Sequence, residues 1–462
     1  MRQRQLATAL AAIALALSVT VGCGVPARPN ILLLVIDTAR ADRFPFNGYE
    51  RPTAPAMAAL AREGTVYGAT FSPAPWTVPA HASLFTGQYP SLHRTDCGSL
   101  RLPDSAVTLA ETLRDAGYRT AGFSGNPWLG EKYNFQQGFD TYSETWRDLP
   151  PEGEDSGAAL SNQRAERLLR WRQGNQEARR QPFFIFINYF EPHMPYNPPE
   201  PERSRLLRPG VDPERVARLS RLGHPEDMRF IVGASDLQPV DLAILSDLYD
   251  GEIAYADRRA GEMVALLREL GLIDETVVVV AADHGENLGD HGMMDHKLSV
   301  HDTLLRVPLL LRYPKRVAAG RRIESQVQMH DLYPTLLALA GVAPPPGVTI
   351  EALPLPGAGI AGSGRSADGP IIGEFVGPPV EFLQVMRDLF PTKDLSRFDR
   401  KLVALRHGGY KIHWGSDGRH ALYDVEHDPG EAHDLAAADP ERLRRLAGEV
   451  EVWLNRPARR VH

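Results

Sequence analysis

Two kinds of apolar pattern alternate along the chain: unbroken aliphatic runs of strand length, and stretches where Leu, Ala or Val recur every three or four residues. Runs of the first kind mark strands buried on both faces, and stretches of the second mark helices with one apolar side. Residues 31–36, just after Pro29, form the plainest buried strand, and 120–123, 183–187, 276–281 and 307–311 repeat its signature. Between them, 105–116 carries Leu109, Leu113 and Ala116 at helical spacing and stops at Gly117, while 241–271 reads as one long helix closed by Gly271. This alternation predicts an α/β fold with a large, mainly parallel sheet and helices on both faces. Beyond a Pro- and Gly-rich stretch at 342–369, short β-type runs near Ile371, Leu402, Tyr410 and Ala421 precede a helical pattern over 440–454. That order predicts a small C-terminal α+β subdomain.

Length supports the division. A chain of 462 residues exceeds what one hydrophobic core usually organises, and the pattern splits it into a main domain at 28–341, a linker at 342–369 and a C-terminal unit at 370–462. The formal net charge is -7, and no basic tract long enough to follow a phosphate backbone occurs. Nucleic acid is therefore not an expected partner. At the start, Arg2 and Arg4 precede an apolar run over 6–21 that ends in small residues, the layout of an export signal covering 1–22. Val19-Thr20-Val21-Gly22-Cys23 resembles the processing site of bacterial lipoproteins, with Thr20 where that pattern prefers Leu. A lipid on Cys23 is then the expected anchor, and the only expected membrane contact, for a periplasmic or cell-surface protein; a plain signal peptide or an uncleaved anchor is the alternative. Cys97 is the second of two cysteines, so lipidation of Cys23 leaves it without an intrachain partner.

In an open α/β sheet, ligand-binding groups collect at the carboxyl ends of strands, and three clusters answer to that rule. The first strand runs into Asp37, followed by Thr38, Arg40 and Asp42; a carboxylate there holds a cation or simply caps a turn. A second strand leads into Asp283-His284-Gly285-Glu286, with Asp290-His291-Gly292, Asp295-His296-Lys297 and His301 close behind. Asp and His side by side offer oxygen and nitrogen to one metal, and the density of histidines favours a metal or anion site over structural roles. The third cluster, Pro75-Trp76-Thr77-Val78-Pro79-Ala80-His81, reads as a loop entering a helix. A hydroxyl at that point faces free backbone N–H groups and the positive end of the helix dipole; taken alone, Thr77 is an ordinary N-cap. Asn126 after the 120–123 strand and Lys297 are weaker substrate-binding candidates.

Together these motifs resemble the sulfatase family of the alkaline-phosphatase superfamily. Pro29-Asn30 through Asp37-Thr38-Ala39-Arg40-Ala41-Asp42 is similar to the family's opening strand, and Thr77 to Pro90, ending Thr86-Gly87-Gln88-Tyr89-Pro90, is similar to its nucleophile segment. Gly138-Phe139-Asp140, Glu191-Pro192-His193-Met194-Pro195, Ala282-Asp283-His284-Gly285-Glu286, Arg306-Val307-Pro308 and Leu422-Tyr423-Asp424 follow in family order. The resemblance implies that Asp37, Asp283 and His284 hold one divalent metal, that Thr77 is its fourth ligand and the nucleophile, and that His193 and His296 contact the substrate's oxyanion.

Three departures qualify it. Thr77 replaces the cysteine or serine that becomes formylglycine, His81 replaces the motif arginine and joins the substrate-binding candidates, and Thr38 replaces a second aspartate. Loss of that hard oxygen ligand favours zinc or manganese over calcium. The expected activity is metal-dependent hydrolysis of a sulfate or phosphate ester on a small molecule or glycan. Phosphodiester cleavage or phosphoryl transfer within the same superfamily is the nearest alternative, and a catalytically silent protein that binds anionic glycans is the alternative from another class.

Overall fold

The computed structural model describes residues 28–149, 155–346, 348, 350–355 and 369–456. Its main sheet has eight strands in the order Arg321–Ile323, Thr65–Tyr67, Leu309–Arg312, Thr276–Ala282, Asn30–Ile36, Phe183–Tyr189, Arg119–Ser124 and Thr141–Glu144. All run the same way except Leu309–Arg312, which is antiparallel to both neighbours. The middle strand, Asn30–Ile36, has neighbours on both edges and no solvent face: Ile31 through Ile36 are all 0% exposed. That is why its sequence is aliphatic without alternation. Burial of each such side chain contributes roughly 1.5–3 kcal/mol.

Helices cover the sheet as the periodicity predicted, with boundaries set by local chemistry. The long helix is Pro239–Glu269, begun by a Gln238/Asp241 capping box and followed by Gly271 at φ +67°. The helix read over 105–116 starts later, at Leu109, because the Thr108 side chain accepts from the Glu111 N–H and Glu111 accepts from the Thr108 N–H. The apolar run 307–311 is not one strand. Arg306–Val307 pairs in a small separate sheet with Thr70–Phe71, which also pairs Val327–Gln328; Pro308, with no N–H to donate, marks the break before Leu309–Arg312 enters the main sheet.

The C-terminal region forms a four-stranded antiparallel sheet, Ile371–Phe375, Leu402–His407, Tyr410–Gly415 and Ala421–Asp424. Its period-two alternation divides the side chains. Leu402 and Ala404 join the main core, while Val403 and Leu405 join Ile412, Leu422, Leu446 and Val450 in a second core with the helix Pro440–Leu454. Among the described residues no helix is long and apolar enough to cross a membrane. The export signal, Cys23 and residues 356–368 of the Pro/Gly-rich stretch lie outside the described residues.

Candidate active site

Four adjacent parallel strands end on one edge of the sheet and set the site out in order. Asn126 follows Arg119–Ser124, His193 follows Phe183–Tyr189, Asp37 follows Asn30–Ile36, and Asp283-His284 follow Thr276–Ala282. The helix Thr77–Thr86 supplies the remaining member with its first residue, entered from an extended Trp76. The Thr77 hydroxyl lies 3.2 Å from His284 Nε2 and 3.5 Å from Asn126 Nδ2. Asn126 Nδ2 also donates to Asp37 Oδ2 at 2.5 Å, and Asn188 Nδ2 approaches the same oxygen at 3.4 Å.

Asp37, Asp283 and His284 turn their ligand atoms toward one point, all within 4.8 Å of one another. His284 Nδ1 donates to the Gly285 carbonyl at 2.9 Å, which leaves the Nε2 lone pair facing Asp283 Oδ2 at 3.3 Å and Asp37 Oδ1 at 3.8 Å. Those two carboxylate oxygens are buried and accept no hydrogen bond. Burial, and then the charge of Asp283, push the Asp37 carboxyl well above its ordinary value. For Asp283 burial also opposes ionisation, but His284 and His81 outweigh it and the group titrates at about 2. Burial lowers His284 to about 4 despite the attraction of Asp283. Two buried carboxylate oxygens without hydrogen bonds and an imidazole lone pair fit a divalent cation that accepts mixed oxygen and nitrogen donors.

Two backbone features hold this convergence. Thr38 adopts φ +54°, unusual for a β-branched residue; its N–H donates to Asp283 Oδ1 at 3.2 Å and its carbonyl accepts from the Tyr249 hydroxyl at 2.7 Å. Gly285 has no room for a side chain, since a Cβ there would lie 2.0 Å from the Thr303 carbonyl oxygen.

Beside the cluster stand two imidazoles of opposite character. The His296 ring lies 4.5 Å from that of His284 and 4.8 Å from that of His193, centroid to centroid. Burial disfavours the imidazolium of His296, but Asp295 at 2.7 Å and Glu286 at 3.4 Å more than offset this and raise it to about 10. Burial, and then the charge of His296, lower His193 to about 3, and its Nδ1 lies 2.7 Å from the Met194 carbonyl.

The structure thus brings Asp37, Thr77, Asn126, Asp283 and His284 together, sets the His296 ring beside His284, and places His193 next to His296. Two sequence candidates sit differently. His81 is buried, with Nδ1 3.1 Å from the Thr77 carbonyl and 3.3 Å from Asp283 Oδ2, so that nitrogen faces the cluster's own groups. Lys297 spends its ammonium on Asp295 at 2.7 Å, one residue removed from His296. Sequence reasoning missed Asn188, Tyr249 and the bridging role of Asp295. The signal for Asn188 was a polar residue inside an otherwise apolar strand; nothing marked Tyr249.

Comparison with known proteins agrees with this architecture. The family model described as Sulfatase matches residues 29–342. Arylsulfatase K of Bos taurus is 24% identical over 94% of this chain and 83% of its own length. Choline-sulfatase of Rhizobium meliloti is 25% identical over 68% of each chain. Among solved structures, the phosphonate monoester hydrolase of Agrobacterium radiobacter superposes with a TM-score of 0.72 at 23% identity, covering 92% of this chain and 95% of that one. A 2-O GAG sulfatase superposes at 0.73 and 17% identity, over 93% and 92%. With the family model spanning the whole main sheet and every strand end that builds the site, the chain is an ester hydrolase and belongs to the sulfatase family.

Proposed function

We propose that the protein hydrolyses sulfate esters of small molecules or glycans by in-line attack of the Thr77 hydroxyl. One divalent ion, zinc or manganese in preference to calcium, is held by Asp37, Asp283, His284 and Thr77. A cation at that point supplies positive charge against the charge that develops on the transferred group and favours ionisation of the nearby hydroxyl. The observation that carries the reading is the Thr77 hydroxyl 3.2 Å from His284 Nε2, beside two buried carboxylate oxygens that accept no hydrogen bond.

The chain's own groups divide the remaining work. Thr77 opens a ten-residue helix, so an anion at its hydroxyl meets free N–H groups and the positive dipole end. Asn126 orients Asp37 and touches the nucleophile. His296, cationic through Asp295 and Glu286, donates to the non-bridging oxygens of the ester, whereas His193, neutral and with its Nδ1 engaged, offers Nε2 to a water. Two such imidazoles with their pKa values pushed apart suit an acid and a base. In the first step the Thr77 oxygen bonds to sulfur as the bond to the leaving alcohol breaks, and the alcohol departs with a proton. In the second, water attacks sulfur, the bond to Thr77 breaks, and inorganic sulfate leaves.

Phosphate or phosphonate esters are the second reading, favoured by one feature: a threonine ester turns over only by attack at the central atom, the chemistry of phosphoryl transfer. A silent binding protein fits poorly, because it has no use for two unsatisfied buried carboxylate oxygens. Export by residues 1–22 and a lipid on Cys23 complete the proposal, and the intact mass of the cell-surface protein tests them. Assay of the purified chain on aryl sulfate, phosphate and phosphonate esters, each with zinc, manganese and calcium, ranks the bond types. Absence of turnover on all of them overturns the reading.

A further inference from the structure

Between the strand Phe183–Tyr189 and the long helix, the chain folds into three short helices, Glu202–Leu206, Pro213–Leu219 and Glu226–Ile231. Ion pairs fasten the first two, and the turn between them, to the long helix: Glu202 to Arg258 at 2.7 Å, Arg208 to Asp247 at 2.6 Å and Arg215 to Asp241 at 2.7 Å. The third helix packs against Met294–Asp295, the strand that leads into His296. It carries Asp227, whose side chain is fully buried. Donor atoms of His224, Asp227 and Asp295 all lie within 4.8 Å of one another.

Two buried carboxylates this close need cations beside them. His224, half exposed, supplies one, with Nδ1 2.8 and 2.7 Å from the two oxygens of Asp227. Lys297 supplies the other: its Nζ lies 2.7 Å from Asp295 Oδ2, and the charge of Asp227 acts on it as well. The Phe382 ring covers both cations, 5.6 Å from Nζ and 6.3 Å from the His224 ring. With His224 protonated, as its bond to Asp227 favours, the row His224, Asp227, Lys297, Asp295, His296 alternates in sign from the surface to the active site. Asp295 divides its oxygens along that row. Oδ1 lies 2.6 Å from the His296 backbone nitrogen and 2.7 Å from His296 Nδ1, while Oδ2 accepts from Lys297. A carboxylate held at both oxygens cannot rotate away from the ring beside it. Lysine, for its part, loses more rotamer freedom than most side chains when held, so the place of Lys297 depends on both of its anions.

We propose that Asp227 is a positioning residue for the reaction: from the third short helix it anchors Lys297, Lys297 fixes the Asp295 carboxylate, and that carboxylate orients the His296 ring toward the ester. The inference rests on the reading of His296 as a donor to the ester oxygens. It is tested on the full, metal-loaded chain with Asp227→Asn, which removes the anchor's charge and keeps its size. On the aryl ester that the parent turns over, kcat is expected to fall about tenfold with KM held within about twofold, the signature of an interaction made only in the transition state. In protein carrying isotope-labelled histidine, the ring C–H NMR signal of His296, assigned by its loss in His296→Gln, is expected to shift. Asp227→Glu keeps the charge and should restore both readouts. If Asp227→Asn melts well below the parent, His224→Gln, changed at the half-exposed end of the row, should move the same signal in the same direction by a smaller amount. An unchanged kcat with an unmoved His296 signal overturns the proposal; so does a fall in kcat with the signal unmoved, which marks a purely structural residue. If the parent turns over no ester, the signal alone decides: a shift means that the reaction assignment has failed and the positioning has not, and no shift overturns the positioning.

Discussion

Replacing Asp37 with asparagine is expected to make the metal-free protein more stable while removing its capacity for metal. Asp37 and Asp283 place carboxylate oxygens within 4.8 Å of one another at a buried site. At an effective dielectric constant of about 20, two unit charges at that separation repel by about 3.5 kcal/mol. Proton uptake caps the cost: holding a carboxyl neutral at pH 7 against an unfolded value of about 3.9 costs about 4 kcal/mol. Either route gives a penalty of about 3–4 kcal/mol that asparagine escapes. The substitution keeps an oxygen to accept from Asn126 Nδ2 and adds N–H donors near the orphaned Asp283 Oδ2. For 462 residues the unfolding entropy is about 1 kcal/mol per kelvin, so the variant is expected to melt about 3–4 °C above the parent in EDTA by scanning calorimetry. Because the folded pKa of Asp37 is raised, the penalty develops above the unfolded pKa, and the gap should close as pH falls toward 4. Saturating divalent ion should reverse the order, since about a thousandfold excess over Kd stabilises the parent by about 4 kcal/mol. A variant that melts below the parent in EDTA at pH 7 would refute the reasoning.

Three further outcomes follow from the same geometry. His296, raised to about 10, contributes stability that is full below about 6.5 and lost as pH rises through 10; melting curves of His296→Gln should therefore fall less between pH 7 and 10 than those of the parent. Asn126→Ala removes a charge-assisted bond to Asp37 worth about 1.5–3 kcal/mol and its contact with the nucleophile, so steady-state kinetics should show kcat/KM down about 10- to 100-fold. Gly285→Ala drives a Cβ into the Thr303 carbonyl; circular dichroism melts should register at least about 2 kcal/mol of destabilisation, and calorimetry a weaker uptake of metal through the displaced His284.

How much was legible beforehand depended on how local each cause is. Buried strands such as Asn30–Ile36 announce themselves, because a strand without a solvent face needs apolar side chains on both sides, and their exits pointed to Asp37 and Asp283-His284. The C-terminal strands were visible as short β-type runs, and the helix Pro440–Leu454 by the spacing of its apolar residues, three of which, Leu446, Ala447 and Val450, are buried. Pro308 shows the limit: an apolar run on either side of a proline looks continuous until pairing partners distant in sequence claim each half. The inward turn of His81 depends on Asp283, two hundred residues away, and its helical setting alone could not reveal it. Tyr249 lies in the middle of a long helix and acts through the backbone of Thr38, a relation created entirely by packing.

The central claim is that Thr77 carries the transferred group. Rapid quenching of the metal-loaded protein during turnover of an aryl ester, followed by peptide mass spectrometry, tests it most directly. A sulfate or phosphate ester on Thr77 that disappears as substrate is exhausted, and that never forms in Thr77→Ala, is the expected result. Undiminished turnover by Thr77→Ala would contradict it.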